Sequence, residues 1–173
     1  FAGDVSEGSA DFVSATILDD PVLAPEATGP GTWIRELETD KVYPDDATGS
    51  SHNDGLIWAS FLWNLRTSWR DTYGVEAGTR MVDELFLETL SYGPTLTDLT
   101  EAVLAADDDD ADLRNSTPHA CELIEGLNDH GLGPGSLGLV LLEHEPLEAQ
   151  DSWTDGYGID FTLEQVTGEC GDV

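Results

Sequence analysis

"GLIWASFLWNLRTSW", residues 55–69, decides the fold. Trp58, Leu62, Leu65 and Trp69 fall at i, i+4, i+7 and i+11, which lines one face of an α-helix with large apolar side chains. The flanking sequence supplies helices to pack against that face. Residues 4–18 read as a helix with Val5, Phe12, Val13 and Ile17 as its apolar anchors. "GVEAGTRMVDELFLETLSYGP", residues 74–94, gives another, with Val82, Leu85, Phe86 and Leu90 inward and Gly93-Pro94 stopping it. Thr97 opens a shorter helix carrying Leu99, Val103 and Leu104. A last helix, from about Pro118 to His130, ends at Gly131, a good C-cap, and His130 in its final turn complements the helix dipole. From Asp19 to Ser51 the chain is rich in Pro, Gly, Asp and Thr and reads as a long irregular loop, of the kind that usually carries function or is disordered.

After Gly133 the character changes. "LGLVLLEHEP" and "GIDFTLEQV" read as strands, the second alternating Ile159, Phe161 and Leu163 with polar neighbours. The expected fold class is therefore mainly α: a helical lobe over residues 1–133, followed by a short β-rich extension over 134–173.

Charge is the extreme feature of the composition. Six basic residues face 36 acidic ones, for a net charge of -30 in 173 residues, and Lys41 is the only lysine. Such a field repels nucleic acid and anionic membranes and favours cations and basic partners. An Asp-rich, nearly Lys-free surface suits high salt or calcium. "AADDDDADL", holding Asp107 to Asp110, is a charged surface turn, a solvated run or a calcium site. Nothing approaches 18 consecutive apolar residues, so no membrane span is expected. A chain that opens on Phe1 reads as a processed product or a fragment. Cys121 and Cys170 lean towards one disulfide in an extracellular, secreted setting, with two unrelated buried thiols as the other reading.

The opening helix contains "GDVSEGSADFVSA", residues 3–15, with Glu7 and Asp11 one turn apart among small and apolar neighbours. A carboxylate there needs a compensating charge or hydrogen bonds. Metal coordination by Glu7, with Asp11 orienting a neighbouring ligand, is one compensation; an exposed Glu7 and a locally paired Asp11 is the other.

This stretch resembles the third-ligand helix of the thermolysin-like zinc peptidases (gluzincins), and most of all the fungalysin family, where the pattern is Glu-x-x-x-Asp. The resemblance implies that Glu7 ligates zinc and that Asp11 holds a histidine ligand in place. "SSHNDGLIWASFLWNLR", residues 50–66, is similar to the family's His-x-x-Gly-x-Ile-Trp-Ala segment. By that likeness His52, on a polar loop just before a helix, hydrogen-bonds the oxyanion of the reaction. "IRELETDKVYP", residues 34–44, resembles more loosely the segment whose arginine binds the substrate carbonyl, which implies that role for Arg35. Asp45 or Asp46 stands in for the family's acidic residue before the histidine, at an unexpected spacing. "LTDLTEAVLAADDDD" and "HACELIEGLNDHGLG" look like the helices that close the family's C-terminal lobe, so the likeness runs from about Gly3 to Gly133.

The family's chemistry also needs His-Glu-x-x-His on a helix, for two zinc ligands and a general base. His52, His119, His130 and His144 are the only histidines, and none is so paired. The expectation is the C-terminal half of a secreted zinc endopeptidase, inactive by itself. It would be completed by an upstream chain or segment carrying the missing motif and would act on a peptide or protein substrate. The alternatives are a catalytically inactive, peptidase-derived lobe serving as an extracellular structural or adhesive module, and a calcium- or salt-dependent binding module. A second chain is also expected to cover apolar surface left by helix 4–18 and by the Trp-rich helix.

Overall fold

A computed structural model of the chain describes residues 3–113 and 116–134, together with the backbone of two strands at 140–144 and 161–165. The fold is mainly α with a short β element. Among the described residues five helices follow one another, α1 (Gly3–Leu18), α2 (Ser51–Tyr73), α3 (Val75–Ser91), α4 (Leu99–Asp107) and α5 (Ala120–Asp129). Two short strands, β1 (Val22–Leu23) and β2 (Arg35–Glu36), pair antiparallel within the 19–50 connection. That segment is therefore folded back on itself rather than wholly irregular. Strands β3 (Val140–His144) and β4 (Phe161–Gln165) form a second antiparallel pair, with Val140 opposite Gln165.

Helix α2 is the axle of the lobe. Every residue from Asp54 to Trp63 is buried, as are Leu65, Arg66 and Trp69. A helix covered on all sides needs neighbours on all sides, and α1, α3 and α5 provide them. Trp58 stacks on Phe61 with ring centroids 5.5 Å apart, and both are fully enclosed. The large apolar side chains of α2 from Leu56 to Trp69 are thus covered within this chain, and Tyr73, 40% exposed, is left at the surface.

Two glycines set the closest approach. Gly8 of α1 lies on Gly55 of α2, and a Cβ added at either would strike the other helix's backbone. The helices cross without side chains between them, which brings the residues beside each glycine into direct reach. At the far end, Gly74 (φ 88°) ends α2 and begins α3, a conformation that side chains resist.

Three local expectations are corrected. The buried face of α1 is Val5, Gly8, Ser9, Asp11, Phe12 and Ala15, so Val13 (41% exposed) and Ile17 (78%) are not anchors. They point away because α2 takes the Gly8 side of the helix. Second, α2 begins at Ser51, so His52 lies inside its first turn and not on the preceding loop. Asp54 explains the early start: its carboxylate accepts from the Thr48 and Gly49 amides and the Thr48 hydroxyl at 2.7–2.9 Å, folding the lead-in back onto the helix. Third, His130 is buried and hydrogen-bonded, not a charge at a helix end. The predicted C-cap is as expected: Gly131 has φ 68°, and the Leu132 and Gly133 amides turn back to the Leu127 carbonyl.

Candidate functional site

Glu7, Asp11, Arg35 and His52 come from three separate elements, and the fold gathers them at one end of the α1/α2 crossing. Glu7 and Asp11 share a face of α1, one turn apart. Because Gly8 rests on Gly55, the first turn of α2 lies alongside, and His52 Nδ1 stands 3.1 Å from Glu7 Oε2. Both side chains remain about half exposed, 57% for His52 and 42% for Glu7.

Arg35 arrives by way of the small sheet. The pairing of Leu23 with Arg35 sets β2 beside β1, the strand that packs against α1. There Arg35 Nε and Nη2 donate to the two carboxylate oxygens of Asp11 at 2.5 and 2.6 Å. Asp11 is almost fully enclosed, and the planar two-point fit is the compensation that a buried carboxylate requires. The Asp11 hydrogen bonds raise the guanidinium's pKa above its ordinary value against the opposing effect of burial; the Asp11 and Glu7 charges reinforce them. Arg35 is thereby fixed as a cation beside Glu7, with its Nη1 edge not engaged by Asp11.

The arrangement unites all four residues proposed from the sequence. It also assigns Asp11 differently: both of its oxygens are engaged by Arg35, not by a histidine. Asp46 does not reach His52, since its carboxylate accepts from the Val42 amide at 2.9 Å. The ionic partner of His52 among the described residues is Glu7.

Sequence reasoning passed over the two groups that hold the cluster in place. Asp54 anchors the lead-in to His52, with burial pushing its carboxyl up while the stronger combined pull of the Thr48 and Gly49 donors brings it below the ordinary value. Gly8 and Gly55 set the distance between the helices. The signal for Asp54 was present: an Asp four residues after Ser50, following Thr-Gly, is a helix-start pattern. The glycines gave none, because a helical glycine does not announce what lies opposite it.

Other expected sites fare differently. Asp107 turns inward to His119, whereas Asp108, Asp109 and Asp110 can each bring one ligand oxygen within 4.8 Å of the others, close enough to share a cation such as calcium. Cys121 stands in the first turn of α5, but its pairing with Cys170 lies outside the described residues, as do most of 134–173. No helix among the described residues is long and apolar enough to cross a membrane.

No family model, no curated protein and no solved structure matches this chain. The peptidase resemblance rests on the quoted motifs alone.

Proposed function

We propose that this chain contributes the third-ligand half of a zinc endopeptidase site, with Glu7 as the metal-ligating carboxylate. The observation that carries the reading is the convergence of Glu7, Asp11, Arg35 and His52, drawn from positions 7 to 52, into one partly exposed cluster. The donor set fits one corner of a zinc site: Glu7 offers a carboxylate at the surface, and a tetrahedral zinc needs more protein ligands than this cluster supplies. Those would come from a segment bearing His-Glu-x-x-His. Helix α1 has room for one, because Ser6, Ala10, Val13 and Ile17 form an uncovered small-to-apolar stripe beside Glu7.

Zinc bound there would polarise a scissile carbonyl. The chain's own residues would do the rest. In its imidazolium form His52 keeps the Nδ1 hydrogen on Glu7 and has an Nε2 hydrogen to donate to the oxyanion. Arg35, held flat by Asp11, offers its Nη1 hydrogens to a substrate carbonyl. The Asp11–Arg35 pair needs no adjustment at the moment of reaction, which is the sense in which such donors are preorganised. The family likeness supports a secreted setting.

A second reading is favoured by the same geometry. Glu7 with His52 and Asp11 with Arg35 satisfy one another without a metal, as a retired site kept as a structural cross-link would. Peptide mapping and metal analysis of the natively purified particle separate the two. A co-purifying His-Glu-x-x-His segment with about one zinc per particle supports the peptidase. In that particle His52→Ala should lower kcat more than it raises KM; unchanged turnover would sink the assignment. A particle with neither segment nor zinc leaves the structural module.

A further inference from the structure

His130 is a buried titratable group to which the peptidase reading assigns nothing. It is 3% exposed and follows α5 directly. Both ring nitrogens are engaged: Nδ1 lies 3.0 Å from the Lys41 carbonyl oxygen, and Nε2 lies 3.0 Å from Asn64 Nδ2. A carbonyl only accepts, so Nδ1 carries a hydrogen. An amide nitrogen only donates, so Nε2 carries none. With the Asn64 amide so placed, the site matches a neutral imidazole and no other form.

The backbone of the same residue makes a further tie. The Tyr43 amide donates to the His130 carbonyl at 2.9 Å, and Gly131 lies so close to the Tyr43 carbonyl that any Cβ would strike it. Residues 41–43 are thus tied to the helical body through His130 and its neighbour, with Tyr43 also packed on the core. The segment continues through Asp46, Thr48 and Gly49 to Ser50, which caps α2 two residues before His52.

We propose that His130 is a proton-operated clasp: neutral, it fastens residues 41–43 against α2 and α5, and protonated, it loosens the 41–50 segment that leads into α2. The imidazolium must place a second hydrogen at Nε2, facing the Asn64 N–H. Asn64 must then withdraw or turn its amide over. The new charge can draw water from the adjoining cavity, about 210 Å³ and lined by Asn64, Ser68 and His130 among others. The charged groups around it are Asp40 and Lys41 on the segment, and Glu122, Glu125 and Asp129 on α5. Glu38 and Asp71 border the neighbouring open groove. The carboxylates favour the proton, whereas burial opposes it. Burial dominates and pushes His130 below the ordinary histidine range, with the Lys41 carbonyl, Asp129 and Asp40 pulling the other way. The unfolded chain therefore binds the proton more readily than the folded one. Stability from this residue is complete above about pH 6.5 and declines as the pH falls towards the folded value.

Amide hydrogen exchange on the full chain, corrected for intrinsic rates, tests this at pH 7 and pH 5, with the His130 ring followed by NMR in the same samples. Protection of the Tyr43, Asp46 and Ala47 amides should fall about tenfold relative to the α3 amides of Val82 to Phe86, in step with His130 protonation. His130→Asn keeps an N–H for the Lys41 carbonyl but does not titrate, so its ratio should not change. A wild-type ratio that stays constant overturns the clasp, and so does a variant that loses as much as wild type. If the variant does not fold, the wild-type ratio still decides, since α3 reports global loosening separately. None of this requires zinc or a partner, so failure here would leave the peptidase reading standing.

Discussion

The described residues include two histidine–carboxylate pairs of similar length and opposite character. His52 and Glu7 stand 3.1 Å apart with roughly half of each side chain in water. His119 and Asp107 stand 2.7 Å apart, but Asp107 is 7% exposed and also accepts from the Thr117 hydroxyl and the His119 amide. Trp69 and Tyr73 flank the His119 ring, with centroids 5.0 and 6.0 Å away. An exposed pair with one contact can exchange it for a metal or substrate at little cost. An enclosed carboxylate with three donors cannot, and it works as a staple between the end of α4 and the start of α5. What separates a candidate site from a structural clamp is thus the number of contacts and their exposure, not the residue types.

The largest effect should come from the crossing that creates the exposed pair. Gly8→Ala would stabilise an ordinary exposed helix by about 1 kcal/mol through propensity. Here the added Cβ meets the Gly55 backbone, so the variant should instead lose about 2–3 kcal/mol, as overpacking does. Urea unfolding checks the sign. A stabilised Gly8→Ala protein would mean that α1 and α2 do not touch at this point, and the Glu7–His52 contact would lose its support.

Next in size is the staple. Asp107→Ala leaves the Thr117 hydroxyl and two His119 donors without their acceptor and should cost about 2 kcal/mol or more. The matching change at the exposed pair, Glu7→Gln, should stay within about 0.5 kcal/mol. Equal losses in the two variants would erase the contrast between clamp and site.

Much of this was legible beforehand. The i, i+4, i+7, i+11 pattern of Trp58, Leu62, Leu65 and Trp69 gave α2, and the apolar positions of α3 and α4 are buried or packed on the core as expected. The motif likeness named four residues that the fold brings together. What stayed hidden was relational. Val13 and Ile17 look like anchors until α2 is known to lie on the Gly8 side. His130 looks like a charge on a helix end until residues 41–43 close over it. Asp11 looks like a partner for histidine until a two-residue strand delivers Arg35. In each case the deciding contact is distant in sequence, and local pattern carries no information about it.

Acid should separate the two regions again, through Asp54. Its folded carboxyl lies below the ordinary value, so its stabilisation is present above the unfolded pKa and is lost as the pH falls through the folded one. Wild type should lose more stability than Asp54→Asn across that acid range. The His52 signals should broaden in step with that loss, since Asp54 pins the loop ahead of α2. The His119 signals should hold. A shared midpoint for both histidines would mean that the lobe opens as one unit and that the site end has no separate weakness.

The smallest effect is also the one with opposite signs at two scales. A net charge of -30 repels itself across the surface, and salt shortens the reach of that repulsion from about 10 Å at 0.1 M to about 3 Å at 1 M. Global stability should therefore rise with sodium chloride. The Glu7–His52 attraction is exposed to the same screening and should weaken, whereas Asp107–His119 is shielded by burial. Between 0.1 and 1 M salt the stability lost in Glu7→Gln should shrink, while that lost in Asp107→Ala should hold. If the two losses change together, the pairs' difference in exposure does not govern their behaviour, and the distinction between exchangeable pair and staple would have to rest on hydrogen-bond count alone.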